Sequence, residues 1–164
     1  MTAETSIAPA GRVHRFRRVL SDPIDGPHWP RGFATVPFDP SHHPRSVYSV
    51  LKDGYANGGG WVPDFDSWWS ALARDAEYDP ALIFLVGSQG ATPVAVAVCW
   101  SSAFVKDIVV AADLRRQGLA SSLLRHVFRV FRARGADAVD LKVHRGNSAA
   151  ISLYRSVGMT RVEP

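Results

Sequence analysis

The stretch Arg115-Arg116-Gln117-Gly118-Leu119-Ala120 joins a β-branched run, Ile108-Val109-Val110-Ala111, to a helical pattern running from Ser121 to about Ala133. A strand that empties through such a turn into a helix presents unpaired backbone N–H groups and the positive end of the helix dipole. A diphosphate needs both. The chain is therefore expected to hold a phosphate-bearing cofactor. A second feature, Asn147-x-x-Ala150-x-x-Leu153-Tyr154, follows the next strand pattern and decides which cofactor that is.

The elements that must position these residues can be read from periodicity. Arg12 to Leu20 alternates imperfectly and Phe33 to Phe38 is a second short strand, with a Pro- and Gly-rich loop over residues 21–32 between them. From Pro44 to Tyr55, Val47, Leu51 and Tyr55 recur at helical spacing, and Gly58-Gly59-Gly60 ends the pattern. Pro63-Asp64 opens a helix to about Glu77, with Asp64 or Asp66 as its cap. Ala81 to Gly87 and Pro93 to Trp100 read as buried strands around the hairpin signal Gly87-Ser88-Gln89-Gly90, and Phe104 to Ala111 follows as a third. The helix after Gly118 turns Leu119, Leu123, Leu124, Val127, Phe128, Val130 and Phe131 inward and closes at Gly135. Ala138 to Val143 is a strand, Asn147 to Val157 a helix and Thr160 to Val162 a last strand. Strand–helix–strand order over residues 104–143 makes those two strands parallel. With the preceding meander this gives an α+β fold.

At 164 residues, 46% hydrophobic and 21% charged, the chain fits one globular domain over residues 12–164, preceded by a flexible tail over 1–11. The tail lacks the apolar core of a signal peptide, and no window approaches a membrane span, so a cytoplasmic location without membrane contact is expected. Cys99, the one cysteine, lies in an apolar run and reads as a small buried strand residue. The formal charge of +4 is uneven. Residues 101–164 hold eleven Lys/Arg against five Asp/Glu, and residues 1–100 hold eight against ten. The acids Asp64, Asp66, Asp75, Glu77 and Asp79 read either as a solvated helix face or as a field favouring a cationic substrate. His42-His43 has no companion ligands and reads as solvent-facing, so no metal site is expected.

Val110-Ala111-Ala112-Asp113-Leu114-Arg115-Arg116-Gln117-Gly118-Leu119-Ala120 and Asn147-Ser148-Ala149-Ala150-Ile151-Ser152-Leu153-Tyr154-Arg155-Ser156-Val157-Gly158-Met159 together resemble the GNAT acyltransferase superfamily. Its signature is V-x-P-x-x-R-x-x-G-x-G/A followed later by N-x-x-A-x-x-L-Y-x-x-x-G-F, from which Ala112 and Met159 depart. The resemblance covers residues 82–162, with 1–80 matching by element order only. It implies a mixed, mostly antiparallel central sheet flanked by helices, with a parallel β-α-β unit at the acyl-CoA site. The chain ends before the last strand of the usual fold, so that strand is absent or supplied otherwise, with Arg12–Leu20 the candidate. A missing edge strand makes a homodimer conceivable.

The resemblance further implies acetyl-CoA or another acyl-CoA as cosubstrate. Its pantetheine arm would pair with the backbones of Ile108, Val109 and Val110, and its diphosphate would lie on the turn Arg115, Arg116, Gln117, Gly118, Leu119, Ala120 and Ser121, mostly on main-chain N–H groups from Arg116 onward. Gly118 and Ala120 then leave room for phosphate oxygens. Asn147 matches a family residue near the pantetheine, and also suits a helix cap. An amine with pKa near 10.4 is only about 0.04% neutral at pH 7, equivalent to roughly 4–5 kcal/mol, so a base must take its proton. Asp107 stands where related transferases often place such a carboxylate, acting directly or through water, and reads equally as an ordinary strand-end aspartate; other members use a carboxylate on the following strand, which here offers Asp140 and Lys142. Tyr154 matches the family tyrosine that protonates the departing thiolate. Trp61, Trp68, Trp69, Trp100 and Phe104 read as core or as acceptor pocket, with Trp61 the best pocket candidate.

The expected activity is N-acetyl transfer from acetyl-CoA to a primary amine by direct attack in a ternary complex. The alternative is a non-catalytic acyl-CoA-binding regulatory module, which needs neither Asp107 nor Tyr154. Nucleic-acid binding has no supporting motif.

Overall fold

The periodicities resolve, in a computed structural model that describes residues 12–56, 60–88 and 92–163, into seven strands and four helices among the described residues. The expected tail over 1–11 and the tip of the 87–90 hairpin lie outside them. In chain order the elements are β1 (Val13–Val19), β2 (Ala34–Val36), α1 (Pro44–Tyr55), α2 (Phe65–Arg74), β3 (Ile83–Gly87), β4 (Ala95–Trp100) and β5 (Phe104–Val110). Then come α3 (Leu119–Ala133), β6 (Ala138–His144), α4 (Ser148–Ser156) and β7 (Thr160–Val162).

Three boundaries differ from the sequence reading, each for a local reason. Helix α2 stops at Arg74 because Asp75 is extended and its carboxylate accepts the Glu77 N–H. Strand β3 begins at Ile83 because Pro80–Leu82 forms a 3-10 turn, capped by the Asp79 carboxylate on the Ala81 N–H. Helix α3 starts at Leu119 because Gly118 takes a left-handed conformation that sets the cap.

The strands form one sheet in the order β2-β3-β4-β5-β6-β1-β7. All neighbours are antiparallel except β5 and β6, which are parallel, so the expected mixed sheet is present. Strand β1, the candidate substitute for a last strand, lies between β6 and β7 and pairs along all seven of its residues with β6. Its imperfect alternation comes from Arg18. This arginine occupies an inward position, donates to the carbonyls of Val19 and Pro23, and lies 6.0 Å from the Phe128 ring.

Each sheet face has its own core. Helices α3 and α4 bury Leu123, Leu124, Phe128, Phe131 and Tyr154 against Phe16, Val105, Val139 and Leu141. Helices α1 and α2 bury Val47, Leu51, Trp68 and Leu72 against Leu85, Val96, Val98 and Val109. Among the described residues the second core draws none from β6, β1 or β7, and α1 and α2 do not cover that half of the sheet. Cys99 is buried in the first core, which pushes its thiol well up from the ordinary range. Among the described residues no helix is long and apolar enough to cross a membrane.

Helix α1 approaches β5 most closely at Gly54, where an added Cβ would sit 2.1 Å from Val109 Cγ1. Gly54→Ala should therefore destabilise the protein by about 1–3 kcal/mol through overpacking, read as a lower midpoint in urea unfolding.

Candidate active site

Strands β5 and β6 pair at only two positions, Phe104 with Asp140 and Val105 with Leu141. Beyond Val105 they part, because each follows a different neighbour. β6 stays in register with β1 along its whole length, whereas β5 follows β4 through a bulge at Lys106, between the pairs Cys99–Val105 and Val98–Asp107. The Ala111 N–H donates to Val94 O on the β4 side. By strand alternation, the N–H and C=O of Ile108 and Val110 turn the other way, into the gap. Ile108, Val109 and Val110 thus form a strand edge with no strand partner on the β6 side.

Two phenols come toward this region from opposite faces of the sheet. Tyr55, the last residue of α1, donates to Asp107 Oδ1 at 2.5 Å, and Lys106 Nζ lies 2.8 Å from Asp107 Oδ2. Burial and then the adjacent Asp107 carboxylate raise the Tyr55 pKa far above the ordinary phenol range, so it is a protonated donor. Tyr154 comes from α4 on the other face, packed near Phe16, and burial pushes it up to about 12. Its proximity adds to the upward push on Tyr55. Tyr55 was not singled out in the sequence, where it reads only as an apolar repeat of α1. The one available signal is Gly54 before it, which permits the close approach to β5.

The wide end of the gap leads to the turn before α3. Arg116 and Gly118 both have left-handed backbone, at φ 63° and 86°. Ser122 N–H reaches back to Gly118 O, so the N–H groups of Leu119, Ala120 and Ser121 have no helical acceptor. Arg116, Gln117 and Gly118 are exposed, and an added Cβ at Gly118 would meet nothing within 4 Å. This concave run of amides at the start of a 15-residue helix suits an anion. Arg115 stands differently from its neighbours: its Nε donates to Val110 O at 3.1 Å and braces the turn against the strand end. Asn147 caps α4, accepting from the Ala150 N–H at 3.1 Å. Ser121 Oγ bonds back to Gly118 O.

Asp140 is the other carboxylate near the gap. It is 6% exposed and receives Nε and Nη2 of both Arg15 and Arg17. The Arg17 and Arg15 guanidinium groups hold its carboxyl below the usual carboxylate range, which makes it a poor proton acceptor. Several acids of the N-terminal half are occupied elsewhere. Asp64 caps α2, Asp79 caps its turn and pairs with Arg134, and Glu77 accepts the Ser102 N–H. Trp68 is buried and Trp69 and Trp100 pack on the same core, whereas Trp61, between α1 and α2, is 70% exposed. His42 and His43 both bond Asp39 at the start of α1.

Comparison with known proteins matches residues 39–159 to the model of the Acetyltransferase (GNAT) family. The chain is 26% identical to a mycothiol acetyltransferase of Thermobispora bispora, over 98% of this chain and 58% of that protein. It is 42% identical over 52 residues to the [ribosomal protein bS18]-alanine N-acetyltransferase of Escherichia coli, covering 32% of this chain and 35% of that one. A solved GCN5-related N-acetyltransferase of Sphaerobacter thermophilus superposes with a TM-score of 0.80 at 24% identity, covering 92% of this chain and 48% of that chain. The chain thus spans about half the length of the first of these relatives and of the solved structure.

The clamp on Asp140 carries a pH signature. Its folded-state pKa is depressed, so the stability it contributes is present above the ordinary carboxylate value and is lost as pH falls below about 4. Asp140→Asn should be less stable than the parent at pH 6, and the difference should shrink steadily toward pH 3 in urea unfolding.

Proposed function

The chain belongs to the acetyltransferase (GNAT) family, and from that premise we propose that it transfers an acetyl group from acetyl-CoA to a primary amine by direct attack in a ternary complex. One observation carries the reading: the gap between β5 and β6 is flanked by Asp107 with Tyr55 on one sheet face and by Tyr154 on the other, and opens onto the amide turn at 116–121.

Acetyl-CoA is a substrate here, and the residues present suit it. The unpaired edge at Ile108 and Val110 offers alternating main-chain donors and acceptors to an amide-bearing arm. The amides from Arg116 to Ser121 offer the diphosphate a concave set of donors at a helix terminus. Arg115 supports this arrangement from behind by holding Val110 O. Asn147 retains its amide N–H groups for the arm, since only its oxygen is used in the cap.

An attacking amine must lose a proton, and Asp107 is the base in this proposal, acting directly or through one water. Tyr55 and Lys106 each hold one of its oxygens, which fixes the carboxylate while leaving further lone pairs for the incoming proton. Tyr154 serves the leaving group. Burial pushes its pKa up, so the phenol is protonated and holds a proton to offer the departing sulfur.

The direct test combines calorimetry with CoA and a thiol-release assay over a panel of amines. Heat on binding together with amine-dependent thiol release supports the reading, and no heat with CoA or acetyl-CoA overturns it. Tyr154→Phe should lower kcat roughly 10- to 100-fold, the range of a hydrogen bond to a charged group, with little change in CoA affinity. Tyr55→Phe should lower kcat/KM for the amine about tenfold or more, because Asp107 loses its phenol donor, and CoA binding should again hold. An unchanged turnover in either variant removes that residue from the mechanism.

A further inference from the structure

Resting on the acetyltransfer reading above, we propose that the acceptor amine also carries a carboxylate, bound by Arg15, Arg17 and Lys142 on the open face of the sheet beside Asp107. Strand register places these groups. Arg15 lies opposite Lys142 and Arg17 opposite Asp140, and directly paired residues point to one face. Phe16 and Leu141 belong to the core under α3, so Arg15, Arg17, Asp140 and Lys142 lie on the other face. That is also the face of Asp107, whose partner Val98 belongs to the core under α1 and α2.

The charge on this face is unbalanced. Along β6, β1 and β7 it carries Val13, Arg15, Arg17 and Val19, Ala138, Asp140, Lys142 and His144, and Thr160 and Val162. Asp140 is the single acid among them, and it answers two arginines at once. Lys142 is exposed and joins no ion pair among the described residues, although it sits directly across from Arg15. A like-charge pair in that position is destabilising unless an anion lies between them. Both guanidinium groups keep their Nη1 donors, which enter no hydrogen bond among the described residues, and both side chains are more than two-fifths exposed. Arginines already fixed by a buried carboxylate lose little freedom on gripping a second one.

The spacing sets the size of the acceptor. Asp140 stands beside Phe104, and Lys142, with Arg15 opposite it, lies two residues farther along β6 in the direction of Asp107, so the cations face Asp107 across the strand gap. A short peptide, at about 3.3 Å per extended residue, bridges such a gap between its amine and its carboxylate. Asp64, Asp79 and Glu77 are engaged in caps and turns.

The test uses oligoglycines of two to four residues as acceptors, each compared with its carboxamide at saturating acetyl-CoA. The parent should acetylate triglycine with a kcat/KM at least about tenfold above triglycinamide, the effect of one charged hydrogen bond or more. Lys142→Glu, an exposed change, should bring that ratio close to one. Arg15→Gln should reduce it as well, a second variant that still leaves Arg17 on Asp140. A parent ratio of one or below, or a ratio untouched by both variants, overturns the carboxylate subsite and leaves acetyl transfer standing. Turnover of uncharged or cationic amines with no oligoglycine accepted also overturns it. Absence of CoA binding, by contrast, overturns the acetyltransfer reading itself.

Discussion

The parting of two parallel strands organises everything else in this molecule. After two register pairs, β5 and β6 diverge, although continued pairing would satisfy more main-chain groups. An unsatisfied buried amide or carbonyl costs about 1–3 kcal/mol, so the opening persists only because other contacts enforce it. On one side the bulge at Lys106 bends β5 toward β4, and on the other the seven-residue ladder with β1 holds β6 straight. Arg115 on Val110 O partly relieves the exposed edge and props its far end. A ligand that brings its own alternating amides restores what the divergence removed, which is why the gap suits a peptide-like arm.

The ladder that keeps the gap open depends on β1, whose residues Val13–Val19 pair with Ala138–His144 far along the sequence. A buried carboxylate at its centre is stable only when its charge is answered. Here Arg15 and Arg17 answer it from the same strand that supplies the ladder. Asp140 is therefore a joint between the two strands, and its depressed pKa reflects that structural role. The same feature separates the two carboxylates near the gap by chemistry. Asp140 is locked by two guanidinium groups, whereas Asp107 is held by the Tyr55 phenol and the Lys106 ammonium.

Much of this was legible from the chain. The β-α-β unit, the left-handed Gly135 after α3, the caps at Asp64 and Asn147 and the pairing of β5 with β6 all follow from local rules, because turn chemistry and periodicity act over a few residues. What escaped depends on long-range register. Tyr55 looked like one more apolar position of α1, since only the close approach at Gly54 brings its hydroxyl to Asp107. Arg18 disguised β1 by taking an inward position, where its two Nη groups donate to carbonyls that no sequence pattern advertises.

Charge was the least legible property, and the reason is topological. By sequence, the first hundred residues are the acidic half, with eight Lys/Arg against ten Asp/Glu. In space, Asp64, Asp75 and Asp79 of that half are engaged at helix and turn ends, where their charges meet backbone N–H groups. Arg15 and Arg17, from the same half, are carried by β1 to the strand beside the gap and stand next to Lys142. The charge of the β6-β1 face is therefore set by strand order and is basic, opposite in sign to the linear count of the N-terminal half. A sum over a segment of sequence measures charge, but burial, capping and register decide which of those charges a ligand feels.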